Sequence, residues 1–264
     1  MDNNYIKVNQ ALWEAKTAVH VTSDFYEQEL FLQGKNTLQA IELAQLGDID
    51  KKTVLHLQCH FGQDSLSLAR MGATVTGIDF SEKAIQIANE TAQRLSLNAQ
   101  FICCNVYDTL QHIREPFDIV FTTYGVIGWL EDLDAWAKVI AGSLKRGGEL
   151  HFVEFHPVVW MYDNDFTHIA YPYFKDVPII ENESGTYANR QAPIQLTSVS
   201  WNHGLAEVVT ALLNNGLVLT QFREFDYSPY NCFNNMKQGE NGQYFIPRLE
   251  KKIPMVYAIK AVKK

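Results

Sequence analysis

Strand-like and helix-like segments alternate from about residue 50 to residue 155, and this alternation limits the possible folds more than any other feature. Short apolar runs at 53–58 and 74–79 each precede a segment with helical spacing of apolar residues, the second of them capped by Ser81. Further strands are expected at 100–104, 117–122 and 149–155, with a helix at 132–145. Because strands joined by helical crossovers pair in parallel, the sequence predicts an α/β fold with a doubly wound, Rossmann-like, mostly parallel sheet.

The regions on either side of this core have a different character. Within the first 50 residues, Asn36 or Thr37 is expected to cap a helix that ends at Gly47, and the stretch after Pro157 is aromatic without helical periodicity. That stretch is interpreted either as a lid over a pocket or as a hydrophobic cluster that closes the domain. Near the C-terminus a helix is expected at 204–214 and strands at 217–225 and 253–262. The prediction is one domain over 1–264, made of a helical N-terminal cover (1–50), a cofactor-binding core (51–156), an insertion (157–202) and the C-terminal part of the sheet (203–264).

Composition narrows the classes of partner. The chain has 22 Lys and Arg against 30 Asp and Glu, a formal net charge of −8, which disfavours nucleic acids and anionic membranes. No apolar run approaches the ~18 residues of a membrane span, and no secretory signal is visible, so a cytoplasmic protein is expected. The four cysteines form no CxxC pair and the histidines are scattered, so no metal site is expected. A small molecule is the expected partner, and the oligomeric state is left open.

A ligand site is expected where the parallel strands end. In such sheets ligands bind beyond the carboxyl ends of the strands, where the turn 58–62 after the first strand would lie. Asp79 ends the second strand, where a carboxylate can accept hydrogen bonds from both hydroxyls of a ribose. The sequence therefore indicates a ligand that contains a nucleoside.

The turn itself argues against a dinucleotide. Gln58 and His60 stand where a pyrophosphate-binding turn has glycines, and only Gly62 remains. Asp64, in the first turn of the next helix, would repel a pyrophosphate, although it could equally serve only to stabilise the helix dipole. S-adenosylmethionine carries no phosphate, and its ammonium and sulfonium suit an acidic, aromatic environment. A nicotinamide-dependent reductase is the less favoured enzyme.

Four stretches of the core carry a family resemblance: VLHLQCHFG, VTGIDFSEKAI, FDIVFTTYGVIGWL and LKRGGELHF. Together they resemble class I S-adenosylmethionine-dependent methyltransferases, in particular a bacterial branch whose first motif reads LHLQCHFG. The resemblance covers about residues 53–155 and implies a seven-stranded sheet whose last strand is antiparallel. The sequence departs from the family pattern at His56, where an acidic residue is usual and a core histidine is the alternative reading, and at Asn105, where Asp is usual.

The resemblance also implies which residues would contact the cofactor. The methionine part would be lined by Gln58, Cys59, His60, Phe61 and Gly62, with Asp64 nearby. Asp79 would hold the ribose, Phe80 would lie against the adenine, and Asn105 and Val106 would meet the adenine amine. Thr122, Thr123 and Tyr124 would form the floor near the transferable methyl group.

Catalysis of methyl transfer depends mainly on alignment and desolvation, and a general base helps when the acceptor carries a proton. His156 and Tyr124 are the candidates retained, with Glu154, His203 and His20 also considered. His156 could instead simply end its strand with Pro157. We expect methyl transfer from S-adenosylmethionine to an oxygen or nitrogen of a small molecule. The non-enzymatic alternative is a module that binds S-adenosylmethionine or S-adenosylhomocysteine without turnover.

Overall fold

The structure, a computed structural model, describes residues 4–264 as strands and helices that alternate through the middle of the chain. The strands are β1 (Thr53–Leu57), β2 (Thr74–Asp79), β3 (Ala99–Cys103), β4 (Phe117–Thr123), β5 (Leu144–Phe155), β6 (Ile179–Ser184), β7 (Gln195–Ser200), β8 (Leu217–Phe225), β9 (Lys237–Gln238), β10 (Tyr244–Phe245) and β11 (Val256–Lys263). The helices are α1 (Asn4–His20), α2 (Gln28–Leu32), α3 (Ala40–Leu46), α4 (Gln63–Arg70), α5 (Glu82–Leu95), α6 (Thr109–His112), α7 (Leu133–Ser143) and α8 (Leu205–Asn214). Within these residues no helix combines the length and the hydropathy needed to cross a membrane.

One mixed sheet forms the centre of the molecule. Its seven strands pair in the order β3-β2-β1-β4-β5-β11-β8, and β11 runs antiparallel to both of its neighbours while the other pairs are parallel. The doubly wound α/β fold is therefore confirmed, as is the antiparallel last strand. Strand order reverses between β1 and β4, and a crevice at this switch point is where such sheets bind ligands.

Helices cover both faces of the sheet. Leu55 and Leu57 of β1 pack with Trp136 of α7 in one cluster, whereas Val54 packs with Leu68 of α4 in another. Successive side chains of a strand point to opposite faces, so a strand with two buried faces needs a continuous apolar run. The TVLHL run of β1 meets this need, and four of its five residues are buried.

Some element boundaries differ from those predicted. The prediction that Asn36 or Thr37 caps the first-region helix is wrong, because α3 begins after Gln39. The Asn36 Oδ1 atom instead accepts from the Leu38 backbone N–H (2.9 Å), and the Thr37 hydroxyl donates to Asp64 (2.5 Å). Strand β5 begins at Leu144, earlier than predicted, because α7 ends at Ser143 and Leu144 pairs at once with Phe117 of β4.

The aromatic insertion contains a β-hairpin. Strands β6 and β7 pair in antiparallel fashion, and the Asn9 side chain on α1 binds both the N–H and the C=O of Val199 on β7, at 2.9 and 2.7 Å. Earlier in the insertion, before β6, Phe166 is buried against Phe233, whereas Phe174 is 74% exposed. The insertion is thus partly a hydrophobic cluster and partly a support for α1.

Candidate cofactor and active site

The backbone of the turn after β1 has the geometry that glycines would favour. Gln58, His60 and Gly62 all have positive φ angles, of 57°, 52° and 81°. A residue with a Cβ atom loses about 1 kcal/mol or more in this left-handed region. At Gly62 a Cβ atom would also lie 2.7 Å from Cε1 of Phe101. The turn therefore keeps its tight form although two of its expected glycines are replaced.

The side chains at the two strained positions make contacts that glycine could not. The Gln58 Nε2 atom donates to the carbonyl of Val126 (2.9 Å), which ties the turn to the loop after β4. The His60 Nε2 and His20 Nδ1 atoms lie 2.9 Å apart and share a hydrogen bond. At both positions the backbone is strained, and the side chain forms a hydrogen bond that links the turn to a neighbouring element.

Asp79 lies beside this turn, as predicted from its place at the end of β2. Its Oδ2 atom accepts from the His60 backbone N–H and its Oδ1 atom from the Ser81 N–H, both at 2.9 Å. Burial raises the pKa of the carboxyl group to about 6, against the lowering effect of these backbone donors. A carboxylate offers about four acceptor positions, so two remain for a ligand such as a diol.

The residues after β3 meet Asp79 on its other side. The Cys104 N–H donates to the carbonyl of Asp79 (3.0 Å), which places Asn105 and Val106 next to Phe80 and the end of β2. The Asn105 Oδ1 atom accepts from the Tyr107 N–H (3.0 Å) and begins a short 3-10 turn, and Val106 is buried. The structure thus brings the predicted ribose and adenine residues together at one edge of the sheet.

The end of β4 faces the same edge. Thr122 and Thr123 are buried, and the Tyr124 N–H donates to the carbonyl of Val153 on β5 (2.7 Å). Tyr124 has a φ of 42°, and its hydroxyl donates to Oε2 of Glu42 on α3 (3.0 Å). Burial raises the pKa of Tyr124 well above its ordinary value, and the Glu42 carboxyl adds to this effect.

Glu154, considered as a base from the sequence, supports the loop after β4. Its carboxylate accepts from the backbone N–H groups of Gly125 (2.5 Å), Val126 (2.7 Å) and Ile127 (3.2 Å). Burial raises the pKa of Glu154, and these donors oppose the shift. Such a set of N–H groups around one carboxylate fixes the course of the backbone that carries Tyr124.

His156, a candidate base, is held by the protein through both ring nitrogens. The Nδ1 atom accepts from the Val158 N–H (3.2 Å), so Nε2 is the protonated nitrogen, and it lies 2.9 Å from Oε1 of Glu224. Burial lowers the pKa of His156, whereas Glu224 acts in the opposite direction. This arrangement is that of a histidine which ends its strand, and the only lone pair of its neutral ring is occupied by the Val158 N–H rather than free to accept a substrate proton. His156 is therefore not part of the mechanism proposed below.

Helix α1 lies over the turn. Trp13 packs edge-on against His60 and Trp129, with ring centroids 5.3 and 5.5 Å apart, and Gln10 donates to the carbonyl of Phe80 (2.8 Å). Burial lowers the pKa of His20 to about 3 and that of His60 well below its ordinary value. The two histidines are therefore a neutral pair at pH 7.

Two acidic residues lie close to the turn, the buried Glu42 and the half-buried Asp64, and sequence reasoning found only Asp64. Asp64 accepts from the Thr37 hydroxyl (2.5 Å), and burial raises the pKa of its carboxyl group. Glu42 was missed, although it lies on the buried stripe of α3 beside Ile41, with Gln45 and Leu46 one turn later. A charged residue within an otherwise apolar helical stripe is the signal that could have identified it.

The polar atoms at this edge suit a polar ligand. Among residues 4–264, buried atoms without a hydrogen-bond partner include His20 Nε2, Glu42 Oε1, Gln58 Oε1 and Thr122 Oγ1. Buried polar groups are rarely left unpaired in folded proteins unless a ligand or water satisfies them. Together with the remaining acceptor positions of Asp79, these atoms fit S-adenosylmethionine and a polar acceptor. Within the same residues no group of three potential ligand side chains could hold a metal ion.

Comparisons with known proteins show which domain and fold this chain is similar to. Residues 54–148 match the model of a family described as a methyltransferase domain. A solved S-adenosylmethionine-dependent methyltransferase from Clostridium acetobutylicum is 14% identical, with a TM-score of 0.58 over 93% of this chain and 94% of that one. Another from Methanosarcina mazei is 20% identical, with a TM-score of 0.57 over 86% and 98%. The fold is therefore the one that these two solved methyltransferases share.

A curated relative gives a partial match. Ubiquinone biosynthesis O-methyltransferase of Coxiella burnetii (strain Dugway 5J108-111) is 30% identical over 128 residues, which are 48% of this chain and 47% of the relative. The chain thus spans about half the length of the curated relatives it matches. Residues 54–148 are thus similar to a methyltransferase domain, and about half of the chain is similar in sequence to a ubiquinone biosynthesis O-methyltransferase.

Proposed function

We propose that the protein transfers a methyl group from S-adenosylmethionine to a small molecule. The observation that carries the proposal is the contact between the β1 turn and Asp79. The Asp79 carboxylate accepts from the His60 N–H, and Asp79 itself lies next to the end of β3. The match of residues 54–148 to a methyltransferase domain supports it. The four resembling stretches further favour the bacterial branch with an LHLQCHFG motif.

The same geometry suggests a role for each cofactor residue. The turn from Gln58 through Cys59, His60 and Phe61 to Gly62 would line the methionine part, with Asp64 near its ammonium group. Asp79 would accept from the ribose hydroxyls, with Phe80 and Val106 against the adenine. Because Asn105 Oδ1 is engaged by Tyr107, its Nδ2 amide is the group assigned to the adenine. Thr122, Thr123 and Tyr124 would lie nearest the methyl group.

When bound, S-adenosylmethionine would supply a methyl carbon already activated by a sulfonium. The chain itself then needs to align the acceptor, exclude water and receive a proton. Helix α1 with Trp13, and the insertion that supports it through Asn9, would act as the cover that excludes water. Tyr124, with its hydroxyl on Glu42, is the group proposed to contact the acceptor. We propose that these segments form one domain.

The proposal is tested with the whole chain. Calorimetry should detect binding of S-adenosylmethionine and S-adenosylhomocysteine at micromolar concentrations and no binding of NADH. Radiolabelled methyl groups should then pass from S-adenosylmethionine to components of a metabolite pool. Binding of NADH in preference to S-adenosylhomocysteine would contradict the proposal. Cofactor binding without any methyl transfer would support the alternative of a binding module.

A further inference from the structure

An acidic and phenolic cluster adjoins the end of β4, and two of its members, Glu42 and Tyr230, have no role in the proposed cofactor site. This acid–tyrosine cluster consists of Glu42 on α3, Asp64 on α4, Tyr124 after β4 and Tyr230. The Tyr124 hydroxyl donates to Glu42 (3.0 Å), and the rings of Tyr124 and Tyr230 meet edge to face with centroids 5.1 Å apart. Segments from four separate parts of the chain thus place two carboxyl groups and two phenols together.

Glu42 lacks a partner that its burial calls for. Its side chain is 0% exposed, its Oε2 atom holds the Tyr124 hydroxyl, and its Oε1 atom is buried without a hydrogen-bond partner in the described chain. Among residues 4–264, the ion pairs found include no cation on Glu42 or Asp64. A buried carboxyl group without a cation is costly to ionise. An ionised Glu42 therefore needs a positive group beside it, which the described residues do not supply.

The titratable groups that face Glu42 come from several elements packed around it. Burial raises the pKa of Glu42 to about 8, and the nearby Asp64 carboxyl acts in the same direction. The other titratable groups that face it are the phenols of Tyr124, Tyr227 and Tyr230, whose own pKa values are raised by burial. All of these groups are neutral or negative, so the local potential favours a cation.

The aromatic walls indicate which kind of cation fits. Tyr124 also packs on Phe155 at 5.5 Å, and Tyr230 lies 6.0 Å from Phe25, which contacts Tyr187 at 5.3 Å. Electron-rich rings beside a carboxylate are a typical environment for an organic ammonium group. A phenol as acceptor would fit less well, because its developing phenolate would be repelled by the two carboxyl groups.

We propose, on the basis of the proposed function, that the methyl acceptor is a small organic amine, bound as its ammonium by Glu42 within the acid–tyrosine cluster. Before transfer, one ammonium proton passes to the Glu42 carboxylate, either directly or through the Tyr124 hydroxyl, and frees the nitrogen lone pair. That lone pair forms the new nitrogen–carbon bond as the carbon–sulfur bond of the sulfonium breaks, and sulfur keeps the bonding electrons. The product leaves as an N-methylated ammonium, and Glu42 later returns its proton to solvent.

The first experiment measures binding rather than turnover. Wild-type protein is titrated by calorimetry, with and without S-adenosylhomocysteine, with three amine–alcohol pairs: butylamine and butanol, benzylamine and benzyl alcohol, tyramine and tyrosol. We expect an amine to bind at least about tenfold more tightly than its alcohol in at least one pair, as a charge-assisted hydrogen bond predicts. Equal binding of amine and alcohol in all three pairs would overturn the proposal.

Two variants test whether Glu42 produces the preference for amines over alcohols. Glu42→Gln should reduce it to about threefold or less and leave the affinity for S-adenosylhomocysteine within about twofold. Glu90→Gln, an exposed carboxylate on α5, is the matched control and should leave both affinities unchanged. If Glu42→Gln does not fold, Tyr124→Phe serves instead, and its loss of the bond to Glu42 should lower amine affinity about threefold or more. An unchanged preference in the folded variant, or a loss of S-adenosylhomocysteine binding in Glu42→Gln, would contradict the role of Glu42.

The second experiment follows the labelled methyl group. Amines that bind should gain label on nitrogen in wild type and about a hundredfold more slowly in Glu42→Gln, since a positioned base contributes at least this factor. Label on the alcohols but not on the amines would overturn the proposal and leave the methyltransferase function intact. Failure of wild type to bind S-adenosylhomocysteine would instead contradict the proposed function, while the titrations without cofactor would still measure recognition of the amine.

Discussion

The Asp79 carboxylate accepts from the backbone N–H of His60 at 2.9 Å, so the acidic residue proposed for the ribose also fixes the turn proposed for the methionine. Its other oxygen accepts from the Ser81 N–H at the start of α5. One side chain thus connects β2, the β1 turn and the following helix. Any change at Asp79 is expected to alter both ligand binding and the geometry of the turn.

We predict that Asp79→Asn weakens S-adenosylhomocysteine binding by about 1–3 kcal/mol, because charge-assisted hydrogen bonds to the ribose become neutral ones. The amide nitrogen of Asn would also meet one of the two backbone donors that Asp79 accepts from. Calorimetry measures the affinity, and urea unfolding checks that the variant remains folded. Asp24→Asn, an exposed acid, is the control. Equal affinities of Asp79→Asn and wild type would reject the ribose role.

The left-handed glycine of the turn gives a second prediction, with a matched control elsewhere in the chain. Ala at Gly62 would have a strained φ and a Cβ atom 2.7 Å from Cε1 of Phe101, whereas Gly216 has the same φ of 81° with nothing within 4 Å. Both substitutions should lose about 1 kcal/mol from the backbone, and Gly62→Ala should lose about 1–3 kcal/mol more from overpacking. Urea unfolding of the two variants measures the difference. Similar losses would show that Phe101 moves aside freely.

The central sheet could be predicted from the sequence because each of its strands carries its own local signal. β1 and β4 are apolar runs between polar turns, and Ser81 caps α5 through a bond to the Ala84 N–H (3.1 Å), as its position predicted. The same logic gave Asp79, since the end of a parallel strand defines its place at the switch point. Local periodicity and turn chemistry therefore sufficed for the core.

The parts that escaped prediction are held by long-range polar contacts. The buried face of α1 includes Asn9, Lys16 and His20, which do not register in an apolar periodicity. Asn9 is buried only because it binds Val199, 190 residues later in the chain. Glu42 likewise accepts a hydrogen bond from Tyr124, 82 residues away. Partners at such separations are set by tertiary structure, and no local pattern in one sequence reveals them.

Glu154 gives a prediction about the loop after β4. In Glu154→Gln the NH2 group would face either the backbone N–H of Gly125 or those of Val126 and Ile127, because in the wild type Gly125 donates to one carboxylate oxygen and the other two donate to the other oxygen. Because a buried donor that loses its acceptor costs about 1–3 kcal/mol, the variant should lose this much stability. Hydrogen exchange of the amides that lose their acceptor should accelerate, while exchange in α5 stays at the wild-type rate. Unchanged exchange of the three amides would contradict the assigned support.

Buried His56 predicts how stability depends on pH. It hydrogen-bonds Ser65 (2.7 Å), and burial lowers its pKa to about 3, from an unfolded value of about 6.5. Between these two pKa values the unfolded chain binds a proton that the folded chain does not bind. Stability from this residue is therefore fully present above about pH 6.5 and is lost as the pH falls, by about 1.4 kcal/mol for each pH unit.

His56→Gln isolates that contribution. Gln at this position can still hydrogen-bond Ser65 but does not titrate, so the loss of unfolding free energy from pH 7 to pH 5 should be about 2 kcal/mol smaller than in wild type. Urea unfolding at the two pH values measures this difference, and His168→Gln, at an exposed histidine, should retain the wild-type loss. Because burial also lowers the pKa of His20 to about 3, part of the wild-type slope should persist in the variant. If His56→Gln kept the full slope, His56 would already be protonated in the folded protein, against the burial that the structure gives it.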